Sequence, residues 1–204
     1  MRTMAATLSI LALLVLCLAE PLIAAPVPSD FKAVVERALQ GDQTVDFTLL
    51  RQQNAERSHY FPLHWAGRDE AMGQIHDKPE SALRLANDQL KNDPLDIFAN
   101  LVAEAALRKL ERPDESARHH ALISGILNSV RGGKDGQSQE AAWNAISVPE
   151  EYAVLFLMGL EPQGQAQINK DGHSFDRMSV KDEETGQETA IWFNIDFFFG
   201  KELE

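Results

Sequence analysis

From Ile191 to Phe199 every second residue is apolar: Ile191, Phe193, Ile195, Phe197 and Phe199, with Trp192, Asn194 and Asp196 among those between. A period of two fits a strand, and one wholly apolar face means that the strand lies on something. Residues 175–181 alternate as well, with Met178 and Val180 on one side, and Glu184-Thr-Gly186 reads as the hairpin turn between the two runs. Residues 165–168 read as a further short strand, closed by a turn over 169–172. The regular elements readable before position 160 are helices, so the helices are the only surface the sheet can cover. The expected fold is α+β. An irregular helical bundle of about seven helices over 26–160 is followed by a two- or three-stranded antiparallel sheet over 161–204, in a single domain 26–204.

The helices announce themselves by caps and stripes. Ser29 can cap a helix with Phe31, Val34, Val35, Ala38 and Leu39 on one face, stopped by Gly41. Asp46 can cap a second helix through Phe47 and Leu50. Residues 55–67 show no period and read as an ordered aromatic loop, followed by a short helix with Ala71, Met72 and Ile75. Asp77-Lys-Pro-Glu80 resembles a capping box opening a helix with Ala82, Leu83, Ala86 and Leu90. Asp93 and Pro94 are expected as cap and first residue of the next helix, carrying Phe98, Leu101, Val102 and Ala105. A break at 112–114 precedes a helix lined by Leu122, Ile123, Ile126, Leu127 and Val130, with His119 at its head. After a loop over 131–136, Ser138 is expected to cap a short helix with Ala142, Ala145 and Ile146. Ser147-Val-Pro-Glu150 is a second capping box, opening a helix that Gly159 ends.

The N-terminus has the form of an export signal over 1–25. Arg2 precedes an uncharged run that Glu20-Pro21 interrupts, too short to span a bilayer. Ala19, Ala24 and Ala25 offer cleavage positions, with Pro26 disfavouring the last. A lipoprotein leader modified on Cys17 is a second reading, although Leu16 stands where such leaders want a small residue. The expected location is therefore periplasmic or extracellular. No later stretch is long and apolar enough to anchor the mature chain in a membrane. Cys17 is the only cysteine, so the mature chain has no disulfide and no cysteine nucleophile.

The net charge is −12, and loss of Arg2 and Glu20 with the leader leaves it unchanged. That charge disfavours nucleic acid and anionic lipid, and suits solubility or a basic protein partner. Oligomeric state is not readable.

Several phrases together resemble a family of exported bacterial proteins known as a domain of unknown function (family 4919). They are Asp46-Phe-Thr-Leu-Leu-Arg51 followed by Tyr60, Asn92-Asp-Pro-Leu-Asp96, Asp135-Gly-Gln-Ser138, Ile146-Ser-Val-Pro-Glu-Glu-Tyr152, Phe175-Asp176 and Trp192-Phe-Asn-Ile-Asp196. Gln52-Gln53 stands where such proteins often carry an aromatic. The resemblance implies an exported domain and supplies no mechanism. Residues 80–130 are also similar to a tetratricopeptide repeat, with Ala82, Leu83, Ala86, Leu90 and Pro94 where that repeat puts small residues and its terminal proline. A full array needs about three units, and no second copy of Asn-Asp-Pro follows.

No catalytic constellation stands out. His59, His64, His76, His119, His120 and His173 lack a metal-ligand spacing, and no cofactor motif is readable. Glu150 and Glu151 are adjacent on a helix, so they diverge by about 100° and cannot flank one bond. Ser124-Gly125 and Ser174 lack a nucleophile elbow, and the 131–136 glycines lack a phosphate-loop ending. The candidate binding residues are aromatic: Tyr60, Trp65, Trp143 and Tyr152, with Phe61 beside the first. The leading expectation is a non-enzymatic interaction module. The alternative is an extracytoplasmic hydrolase, which would gather three or more of Asp46, His59, His64, Glu150, Glu151 and Asp176 in one pocket.

Overall fold

Side-chain caps set three of the helix starts. Asp46 accepts from the Leu49 N–H and opens α2 (Phe47–Ala55), Asp96 accepts from Ala99 and opens α5 (Ile97–Lys109), and Ser147 accepts from Glu150 and opens α7 (Val148–Leu157). The computed structural model describes residues 29–57 and 65–200. The export signal, Cys17, and the segment with His59, Tyr60, Phe61 and His64 lie outside these residues. The remaining helices are α1 (Ser29–Leu39), α3 (Arg68–Gln74), α4 (Pro79–Asn92) and α6 (Pro113–Arg131). The strands are β1 (Trp143–Asn144), β2 (Leu160–Lys170), β3 (His173–Asp182) and β4 (Glu188–Asn194). The fold is α+β, with the sheet mostly C-terminal.

The sheet is larger than expected, with four strands in the order β1-β4-β3-β2. β2, β3 and β4 are antiparallel, and β1 pairs parallel to β4 through Trp143 against Phe193. β1 replaces the helix expected after Ser138. The Ser138 hydroxyl accepts from the Ala141 N–H in a turn, and Ala142, Trp143 and Ala145 are buried as the chain lies along β4. Residues 131–136 are also no loose connector. Gly136 bonds to Ala141 and Trp192 through its backbone, and its φ of +74° and the Trp143 ring beneath it leave no room for a Cβ.

Three other boundaries differ from expectation. Asp93 does not cap α5. The 93–96 segment forms a turn, with Asp96 N–H bonded to the Asp93 carbonyl, and Pro94 stands ahead of the helix. At the C-terminus the apolar alternation outlasts the strand. Phe198 and Phe199 fold back to the Ile195 carbonyl, and Phe199 is exposed. Asp196 holds this corner by accepting from the Ser174 N–H at 2.7 Å and from Asn194 at 3.0 Å. α4 starts at Pro79 after Lys78, without the side-chain cap expected from Asp77.

Two cores result. The larger one joins α1, α2, α6 and α7 to the sheet around Leu50, Leu122, Trp143, Leu155, Met178 and Phe193. The smaller one lies between α3, α4 and α5 and consists of Ala71, Ala82, Ala86, Val102, Ala103 and Ala106, all fully buried. Where helices meet through alanines their axes can lie close, and side chains at the margin are left to fill the seam.

Candidate functional site

A cleft of about 500 Å³ opens along that seam. One wall is the start of α7, with Val148, Pro149 and Tyr152. Opposite stand Trp65, which packs on the alanine core, and Phe98 on α5. Leu95, Ile97 and Ala153 bring the larger core to its base. An apolar cleft of this size with a few convergent polar groups has the form of a ligand site.

The polar groups come from three places. Arg51 on α2 is buried and clamps Glu150 on α7 in a bidentate pair, Nε to Oε1 at 2.8 Å and Nη2 to Oε2 at 2.7 Å. Its remaining donors reach Ser129 and the Asn144 carbonyl. Glu150 also accepts from the Ile146 N–H, one residue before the amide a capping box would use. Arg51 and Glu150 are thus spent on each other and on the backbone.

The 93–96 turn supplies two acids. Asp96 accepts from Ala99 N–H and from Gln89, so both oxygens are engaged. Asp93 accepts from Asn54 at 2.8 Å and from Leu95 N–H at 3.1 Å, both at Oδ1. Among the described residues its Oδ2 accepts nothing. Burial, with repulsion from Asp96 adding to it, pushes the Asp93 carboxyl up to about 6 against the pull of its hydrogen bonds. Burial raises Asp96 as well. His119 and Asn100 brace the turn from behind: Asn100 donates to the Pro94 and Asp96 carbonyls, and the His119 ring bonds to it at 2.8 Å.

Of the candidate aromatics, Trp65 and Tyr152 line this cleft. Trp143 does not: it is buried edge-on against Phe193 at 5.6 Å, and its indole N–H donates to the Lys134 carbonyl. Tyr60 and Phe61 lie outside the described residues. Of the groups named for a hydrolase, His59 and His64 lie outside the described residues; Glu150, Glu151 and Asp176 come near enough to repel one another, but they line no common cleft with Asp46. Asp46 lies in the groove between α2 and α6, Glu150 is clamped, and Glu151 and Asp176 are buried between α7 and the sheet. Glu151 is 0% exposed, and among the described residues neither oxygen has a hydrogen-bond partner. Burial, then the Asp176 and Glu150 charges, push it up to about 9, so it is neutral at neutral pH. Asp176 keeps one partner, the Gln165 amide, which also meets the Tyr152 hydroxyl at 3.4 Å. Among the described residues no three His, Asp or Glu side chains gather to hold a metal, and no helix is long and apolar enough to cross a membrane.

Asp93, Phe98 and Arg68 were not legible as site residues. Asp93 looked like a cap and Phe98 like one more core position. The one signal was the Asn92-Asp-Pro-Leu-Asp96 phrase, which packs two acids into a turn.

The molecule is an α+β chain with a preformed, aromatic-walled cleft. Residues 69–202 match the model of a family described as a domain of unknown function (DUF4919), which is more than half of the chain, and the chain belongs to that family. No curated protein and no solved structure matches it. Most of the cleft lies within the matched span; Arg51, Asn54, Trp65 and Arg68 come from the segment ahead of it.

Proposed function

We propose that this is an exported, non-enzymatic binding module whose ligand occupies the cleft between α5 and α7. The observation that carries this reading is the cleft itself: apolar walls with Trp65, Phe98 and Tyr152, above buried polar groups mostly spent on one another. Groups that are already satisfied hold shape rather than carry out chemistry. The close stacking of α3, α4 and α5 through Ala71, Ala82, Ala86 and Ala103 supports the tetratricopeptide-like reading of that region. Export rests on the leader sequence, and the charge of −12 favours a partner other than nucleic acid.

The test is capture from periplasmic extract or culture medium on immobilised mature protein, beside a Phe98→Ala/Tyr152→Ala variant that still melts cooperatively. Partners held by the wild type and lost by the variant support the cleft. An identical set on both removes it. Terminal sequencing of the native protein tests export, and recovery of Met1 from the cytoplasm would refute it.

One observation favours the hydrolase alternative. Asp93, held near 6 in a cleft beside Asp96, has the acidity of a general acid. Turnover of a glycoside or ester panel by the wild type, abolished in Asp93→Asn, would establish it.

A further inference from the structure

We infer that the cleft and the adjoining face of α7 take an amphipathic polypeptide segment of a partner protein, whose apolar side chains lie along Val148, Tyr152 and Phe156 and whose lysine or arginine reaches Asp93. This inference rests on the binding-module reading and gives its ligand a chemistry.

The apolar half of the argument is a stripe. Val148, Tyr152 and Phe156 are 42%, 39% and 47% exposed. Their spacing of four puts them on one face of α7. The stripe runs about 12 Å at the helical rise. It is continuous with the cleft: Val148 and Tyr152 line the cleft mouth, and the Phe156 ring meets the Phe98 ring of the opposite wall at 5.3 Å. A small molecule would fill the cleft and leave Phe156 uncovered. A chain segment covers both.

The polar half is a census of unspent charge. Arg51 and Glu150 neutralise each other. Arg57 donates to Asn54 and lies over the Phe31 ring. Arg68 pairs with Asp69 and lies over the Phe98 ring at 4.8 Å. Asp96 is engaged at both oxygens. Asp93 alone retains an oxygen that no described residue uses. Among the described residues nothing donates to that oxygen, and Arg57, the neighbouring cation, attracts Asp93 without a hydrogen bond to it; a cation from the partner fits the open position. A net charge of −12 brings basic segments to this surface.

The probes are fluorescent 15-residue peptides with Leu and Phe at helical spacing and one central Lys, and the same peptides with Glu or Gln in its place. Anisotropy titration of the mature protein is expected to rank Lys above Gln and Gln above Glu, with Lys over Glu by about tenfold or more. Asp93→Asn, which can keep the Asn54 and Leu95 contacts through its oxygen, should erase the advantage of Lys over Gln. Phe156→Ala should weaken all three alike. The wild type gives a second readout that survives any folding defect in the variant. Lys-peptide affinity should fall as pH drops below about 6 and Asp93 takes a proton, while Gln-peptide affinity stays flat. The neighbouring charges Asp96, Arg57, Arg68 and the Arg51–Glu150 pair face the same group in both complexes. Equal binding of the three peptides overturns the basic anchor and leaves the binding module standing. Preference for Glu, or binding of none, overturns the inference whatever the capture experiment shows.

Discussion

The two cores of this molecule are built on opposite principles. Between α3, α4 and α5 the buried residues are alanines and one valine, and the helices close on one another through short side chains. Between the other helices and the sheet the buried residues are Trp143, Phe193, Leu122, Met178 and their like, filling a deep space with bulk. The first core fails when something is added and the second when something is removed. The cleft lies where the two regimes meet, because neither supplies side chains of the right reach for the seam.

The largest effect expected is in the bulky core. Phe193→Ala should cost about 3–5 kcal/mol, read as a drop in melting temperature, because the ring is fully buried against Trp143 and nothing nearby can fill its space. A wild-type melt for this variant would break the comparison at its strongest point.

Glu151 is the polar exception inside that core. Its folded carboxyl holds its proton to about pH 9, whereas the unfolded one releases it near 4.5. The stability tied to that proton is fully present below 4.5 and is lost as pH rises toward 9, at up to ~1.4 kcal/mol per pH unit. Glu151→Gln should therefore melt with little pH dependence between 6 and 9, where the wild type weakens. Parallel curves for the two proteins would place a different group behind any alkaline loss.

In the alanine core the sign of the size change reverses. Ala86→Leu should cost about 1–3 kcal/mol by overfilling, although it adds apolar surface. The smallest effect belongs to the corner after β4. Asp196→Ala removes the acceptor for Ser174, His173 and Asn194 and should cost about 1 kcal/mol.

What could be read from the sequence was what depends on neighbours along the chain. The alternation from Ile191 to Ile195, the Asp46 and Ser147 caps and the Gly159 stop all act within a few residues. What could not be read depends on partners far away. Arg51 and Glu150 are 99 positions apart, and nothing local marks either as half of an ion pair. β1 is two residues long and exists only because β4 offers its edge. Trp143 looked available for binding because its burial is conferred by a strand fifty positions later. The cleft escaped for the same reason: its walls come from α3, α5 and α7, and its two contiguous stretches, 95–98 and 146–150, lie about fifty positions apart.

The free margin of the sheet has a consequence for solubility. β2 is an outermost strand of eleven residues, with most of its side chains in water. Left straight, such a strand would offer a row of unpaired amides to any other chain in the same state. Here Pro162 removes one donor, and the register slips between Pro162 and Gly164, so Gln163 bulges out of the ladder. Deleting Gln163 would restore an even ladder and tidy the hairpin. It would also give crowded copies a template for joining edge to edge into fibres, a hazard that the irregular strand averts at the cost of one awkward turn of backbone.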